Sequence, residues 1–204
     1  MKVYAVKLLA VLNVAGYMIM IVVNILANTL PINGVTTGEV SNMYPNLFTP
    51  ASFTFSIWGL IYILLALFTV YQTGVLSKGK TNALAADIGW LFFISSLANT
   101  AWIFMWHYKF IFLSAAVMLI LLLSLIGIYI RLSGRKAVSS KEKFFAHLPF
   151  SVYLGWISVA TIANIAVLLV SVNWNGFGIP EEIWTIFVII LAAEIGRASC
   201  RERV

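Results

Sequence analysis

The stretch LPFSVYLGWISVATIANIAVLLVSV at positions 148–172 contains no Asp, Glu, Lys or Arg, and its polar side chains are hydroxyls, an indole and one amide. A hydrocarbon layer about 30 Å thick is crossed by roughly 20 residues of helix, and it holds no water to satisfy an open backbone. A run of this length and polarity therefore reads as a transmembrane helix. Four more runs, at 8–30, 53–76, 83–106 and 110–132, have the same character; their only charged residues are Asp87, near the start of its run, and Arg131, near the end of its own. Another apolar run begins near Ile183. With 62% hydrophobic and 10% charged residues and a mean hydropathy of +0.99, the chain lies far from the composition of a water-soluble domain. The ten-residue alternation of an outer-membrane barrel is absent. The fold class expected is all-α: a polytopic transmembrane helical bundle with five complete spans and an incomplete sixth.

Charge orders these spans. Lys2 and Lys7 precede the first, Lys78 and Lys80 follow the second, and Arg131, Arg135, Lys136, Lys141 and Lys143 cluster between the fourth and fifth. The loop at 31–52 has Glu39 and no basic residue, the turn between the third and fourth spans has only Lys109, and the loop before the sixth has Glu181 and Glu182. The positive-inside rule then puts the N-terminus in the cytoplasm and the long first loop outside. A bacterial cytoplasmic membrane is the simplest host, since nothing resembles an organelle-targeting segment. The net charge of +6 sits beside span ends, so anionic lipid headgroups, not nucleic acid, are its expected partners. A cleaved signal peptide is disfavoured because the first apolar run is too long and no small-residue cleavage site follows it.

At Glu194 the sixth run changes character, to Glu-Ile-Gly-Arg-Ala-Ser-Cys-Arg-Glu-Arg-Val. This ending matches the translation of a sequencing-adapter read-through, so residues 194–204 are expected to be non-native. The single cysteine, Cys200, then carries no redox meaning.

Helical spacing puts the polar and aromatic residues of the spans on stripes. Asn13, Tyr17, Asn24 and Asn28 share one face of the first span, where amides act as interhelical glue. The third span carries Ser95, Asn99, Trp102 and Trp106; the fifth carries Trp156, Ala160 and Asn164; the second offers Trp58 and Tyr62 one turn apart. Aromatic and amide groups converging from three helices suit a flat, largely apolar ligand with a few polar edges. Trp106, Trp174 and Trp184, near span ends, read as an interfacial belt. His107 and His147 fall at opposite membrane boundaries, which excludes a shared metal site and suggests interfacial roles. The patterns Leu125…Tyr129…Arg131 and Lys143…Phe145…Leu148 fit a cholesterol-type motif that any aromatic and cation at a helix end would satisfy. No paired intramembrane carboxylates, H-E-x-x-H, phosphate loop or nucleophile elbow is present, so no catalytic residue, metal or cofactor is assigned.

These features, in order, resemble the tryptophan-rich sensory protein or translocator protein (TspO/MBR) family. The resemblance rests on Tyr44-Pro-Asn-Leu-Phe-Thr-Pro50 followed by Phe55-Ser-Ile-Trp58-Gly-Leu-Ile-Tyr62, on Ala98-Asn99-Thr-Ala-Trp102-Ile-Phe104, and on Leu148-Pro149 leading to Trp156, Ala160 and Asn164. It implies a five-helix membrane domain at 1–172 whose first loop folds over a ligand pocket. Residues 173–193 would be an outer loop and the start of an extra helix beyond the family plan. Carried over residue by residue, it makes Trp58, Tyr62, Asn99, Trp102, Trp156, Ala160 and Asn164 ligand-binding, with a porphyrin- or sterol-type molecule as ligand. The first loop departs from the family pattern, with Thr49 where a Lys is usual and no loop tryptophans, which counts against porphyrin binding and above all against photochemical porphyrin breakdown. The function expected is a non-enzymatic sensor or carrier of a hydrophobic ligand, with homodimerisation left open. The alternatives are a secondary transporter, for which inverted repeats and broken helices would be needed, and a non-catalytic assembly or regulatory subunit.

Overall fold

The computed structural model describes residues 3–30, 32–49, 51–74, 82–136 and 138–201. Lys2, Lys78 and Lys80 of the charge argument, Pro50 of the loop motif and the last three residues of the tail lie outside the described residues.

The chain is an all-α membrane bundle. Helix α1 (Val3–Thr29) leads into a loop bearing the short α2 (Thr37–Asn42); a 3-10 turn at Ser52–Ser56 opens α3 (Ile57–Gln72). Then come α4 (Asn82–Ile88), α5 (Leu91–His107), α6 (Ile111–Ser133), the single turn α7 (Ser140–Glu142), α8 (Leu148–Ser171) and α9 (Glu181–Arg201). Among the described residues four helical stretches are long and apolar enough to cross a membrane: Tyr4–Thr29, Phe53–Gln72, Ile111–Ser133 and Ser140–Ser171. Large apolar side chains such as Ile63, Phe112, Leu123 and Ile130 point outward and are exposed. In water this would be a severe cost; in lipid it is the ordinary state of a span's outer face.

The helices close a ring. α1 packs on α3 and α5, α5 on α6, α6 on α8, and α8 back on α3, while α9 leans on α8 from outside. Amides tie the ring together, as the stripe on α1 implied. Asn13 Nδ2 donates to Gln72 Oε1 on α3 (2.9 Å), Tyr17 Oη to the Tyr62 carbonyl (3.0 Å) and Asn24 Nδ2 to Asn99 Oδ1 on α5 (2.7 Å). Asn28 instead donates to the Asn24 carbonyl of its own helix. Below this layer, Phe68, Phe92 and Phe150 join α3, α5 and α8 edge to face, with centroids 4.7–5.4 Å apart.

The third apolar run is not one helix. It breaks between α4 and α5 at Gly89, whose φ of +61° is a left-handed value that favours glycine. Arg131 of α6 fills the break: its Nη1 donates to the Ile88 carbonyl (2.9 Å) and the Asp87 carbonyl (3.2 Å). A Cβ at position 89 would lie 3.0 Å from that same nitrogen. Arg135 pairs with both Asp87 and Glu142. Two of the five basic residues from Arg131 to Lys143 are thus occupied within the protein, leaving Lys136, Lys141 and Lys143 exposed. The cholesterol-type pattern at 125–131 loses its surface as well, because Leu125 is wholly buried.

The fifth span starts earlier than its hydropathy suggests. A π-helical turn at Lys143–His147 runs directly into α8. Proline 149 has no N–H to give and its ring crowds the preceding turn, so a wide turn just upstream lets the helix pass through it unbroken.

Close helix approach is visible at Gly16, where a Cβ would meet Phe93 Cδ2 at 2.8 Å and Ser96 Cβ at 3.3 Å. Small residues of this kind let membrane helices gain dispersion energy at short range. Gly16→Val is expected to push α1 from α5 and cost about 1–3 kcal/mol as overpacking; thermal unfolding of the purified protein in detergent would measure it.

Candidate ligand site

The first loop and the 172–180 loop lie at one end of the ring, which we call the loop face. The Arg131–Asp87–Arg135 contacts mark the opposite, basic face. On the loop-face side of the phenylalanine layer an aromatic cluster fills the space between α3, α5 and α8. Trp58 is its centre. Its ring stacks on Tyr62 (5.6 Å, 20°), lies 6.3 Å from Trp102, and meets Tyr153 (6.1 Å, 69°) and Trp156 (6.0 Å, 85°) edge-on. Trp102 stacks in turn on Trp106 at 5.5 Å.

A cavity lies against this cluster. Trp58, Trp102, Trp156, Ala160 and Asn164 line it, and Ser41, Asn46, Thr49 and Phe55 roof it from the first loop and the 3-10 turn. The structure thus brings five of the seven expected site residues to one cavity and places Tyr62 behind Trp58. Asn99 is elsewhere: it is wholly buried, accepting from Asn24 and donating through Nδ2 to Tyr153 Oη (3.0 Å). Asn164 is also tied, its Nδ2 donating to Ser114 Oγ on α6 (3.2 Å). The cavity measures only about 30 Å³. That is room for one or two waters and well below the roughly 300–1,000 Å³ of ordinary ligand pockets.

Polar bonding inside the cluster is incomplete. The indole nitrogens of Trp102 and Trp156 and the Tyr62 hydroxyl are buried without a hydrogen-bond partner among the described residues. Buried indole N–H and phenol O–H groups usually find an acceptor, so two unpaired indoles lining one small cavity, with an unpaired phenol behind Trp58, are unusual.

The roof is held by two residues that sequence reasoning assigned to the interface. Trp106 is 4% exposed and its Nε1 donates to the Thr37 carbonyl (3.1 Å). His107 is wholly buried. Its Nδ1 faces the Ile32 carbonyl (3.2 Å), which can only accept, so Nδ1 carries the proton and Nε2 accepts from Thr37 Oγ1 (3.1 Å). Asn33, at φ +56°, returns the contact by donating to the His107 carbonyl (3.0 Å). A capping box between Thr36 and Glu39 then starts α2, and the bonds from the Thr36 backbone and side chain hold the Glu39 carboxyl below the usual carboxylate range. A lowered carboxylate pKa means the cap is intact at neutral pH and weakens as pH falls through that lowered value. His107→Ala would strand Thr37 and the Ile32 carbonyl. Amide exchange across 32–42 is expected to accelerate at least about tenfold, since two hydrogen bonds worth about 0.5–1.5 kcal/mol each are lost, and exchange mass spectrometry would read it.

A family model described as TSPO-like protein matches residues 10–203. The chain belongs to the TSPO-like family. No curated protein and no solved structure matches it. The match to the TSPO-like model extends beyond residue 172 and takes in α9, which the five-helix plan left out. The backbone of α9 stays helical through Glu194 to Arg201. In this TSPO-like chain the residues that sequence reasoning missed are Tyr153, Phe55, Trp106 and His107. Phe55 lay within the loop motif and Trp106 on the α5 stripe without being assigned to the site, and the Trp106-His107 pair at a span end fitted an interfacial belt equally well.

Proposed function

We propose that this membrane-embedded chain binds a flat, largely apolar small molecule of porphyrin or sterol type in the aromatic cavity, as a sensor or carrier and without covalent chemistry. One observation carries the reading: the unpaired, buried indole N–H groups of Trp102 and Trp156 belong to residues that line the cavity. Each unpaired donor costs about 1–3 kcal/mol, and a ligand bearing acceptors at its edge would recover that energy. The cavity must open to admit it. Opening requires the roof residues Ser41, Asn46, Thr49 and Phe55 or the Trp58 ring to shift, so binding selects a more open conformation. We also propose the cytoplasmic N-terminus and bacterial membrane that the charge pattern favours, which put the roof outside the cell.

The test is a titration of the purified protein with a panel of porphyrins and sterols, followed by quenching of tryptophan emission. Trp156→Phe and Trp102→Phe keep an aromatic side chain, with a smaller ring, and remove the N–H; each is expected to weaken binding about tenfold, the worth of one buried hydrogen bond. Unchanged titration curves in both variants would remove the cavity as the site.

A further inference from the structure

The lipid-facing side of α8 carries a second and much larger cavity. It measures about 540 Å³ and lies between α8, with Ile162, Ile165 and Leu169 as one wall, and α9, with Trp184, Phe187 and Val188 as the other. The wall on α8 extends from Ile162 to Val170, about 12 Å at 1.5 Å per residue. Polar groups gather at the loop-face end, where Asn46, Asn175 and Glu181 form the rim. There Glu181 Oε1 accepts from the Leu47 N–H (2.7 Å), and Trp184 Nε1 donates to the Gly176 carbonyl (3.0 Å). The rings of Trp174 and Trp184 lie 5.3 Å apart. No Lys or Arg lines the groove.

The trough is apolar along its length and acidic and aromatic at its mouth. An amphiphile with a cationic head fits that pattern, its tail along α8 and its ammonium against the carboxylate and the indole faces. A purely anionic head would meet Glu181 with no counter-charge. The end of the groove at the α8–α9 loop is also where a bilayer places its headgroups. We propose that the α8–α9 groove is a binding site for an aminophospholipid of phosphatidylethanolamine type, drawn from the leaflet on the loop face. Asn46, next to the Leu47 that bonds Glu181, lines both this groove and the central cavity. The bound lipid thus shares a wall with the roof of the central site, although its own binding does not depend on what that site holds.

The experiment uses the full chain in bilayers of phosphatidylethanolamine and phosphatidylglycerol in equal parts. A photoreactive acyl chain is carried on one lipid or the other, and labelled peptides are mapped by mass spectrometry. The ethanolamine probe is expected to label 162–170 and 183–188 at least fivefold above the exposed α6 surface at Leu119, Ile120 and Leu123, and the glycerol probe is expected to show no such enrichment. Ala166→Trp, which fills the groove, should bring labelling down to the α6 level. Glu181→Gln keeps an acceptor for Leu47 but removes the charge, and should equalise the two probes. Labelling of the groove no greater than that of α6, enrichment by the glycerol probe, or an unchanged probe preference in Glu181→Gln would overturn the proposal. The last reading stands even where Ala166→Trp fails to fold.

Discussion

Trp58→Ala is expected to lower the stability of the bundle by about 3 kcal/mol, the low end of the range for removing a large aromatic side chain from a core, because the ring is only partly buried. The magnitude follows from position. Trp58 touches four other aromatic rings, on α3, α5 and α8, and no other residue of the cluster joins as many. Its loss would leave Tyr62 and Trp156 facing a void, because the flanking helices are fixed by their own amide bonds and cannot collapse onto it. Trp58→Phe should recover most of the loss, since a smaller ring can still stack on Tyr62, with such pairs worth about 0.5–1.5 kcal/mol. Thermal unfolding in detergent distinguishes the cases; equal unfolding temperatures for wild type and Trp58→Ala would mean that Trp58 does not organise the cluster. The same variant enlarges the central cavity. If Trp58 serves the ligand by stacking, binding falls despite the added room; tighter binding would show that its ring acts only as a plug.

How much of this was legible beforehand depends on what each feature needs from distant residues. The spans were legible because burial in lipid is a demand each segment meets alone, and 148–172 meets it without a neighbour. The break at Gly89 was not, because the carbonyls it leaves open are satisfied by Arg131, forty-two positions along the chain. Periodicity found the right face of α5, with Asn99 and Trp102 on it, but a face is wide. Trp102 reaches the cavity, whereas Asn99 is directed to Asn24 and Tyr153. Tyr153 itself sits inside a stretch that reads as plain apolar helix, and only the incoming amide from α5 gives it a role. Cavity size was not legible at all, since it depends on how Trp58, Trp102 and Trp156 from three different helices pack against one another.

Asn99→Leu separates the two parts an amide can play in this bundle. Asn99 makes two interhelical bonds, one to α1 through Asn24 and one to α8 through Tyr153. Bonds of this kind in membrane proteins are worth about 0.6–2 kcal/mol each, so the loss of both is expected to cost about 1–4 kcal/mol, with α1 and α8 loosened together. Asn24 keeps a partner in the Met20 carbonyl (2.9 Å), which limits the penalty on that side. The Tyr153 hydroxyl, wholly buried, has no such reserve. Tyr153→Phe should therefore destabilise by less than Asn99→Leu, and the double variant should fall short of the sum by about 0.5–3 kcal/mol, the coupling of residues in contact. Additive losses would mean that the Asn99–Tyr153 bond does not form. The comparison also bears on ligand binding. An Asn99 that serves the site only by fixing α5 against α8 must weaken binding in step with Tyr153→Phe, whereas direct contact with the ligand would make Asn99→Leu weaken binding while Tyr153→Phe left it intact. The geometry predicts the first pattern, because the Asn99 amide donates to Tyr153 and its oxygen accepts from Asn24 within the α1–α5–α8 seam, and Asn99 does not line the cavity.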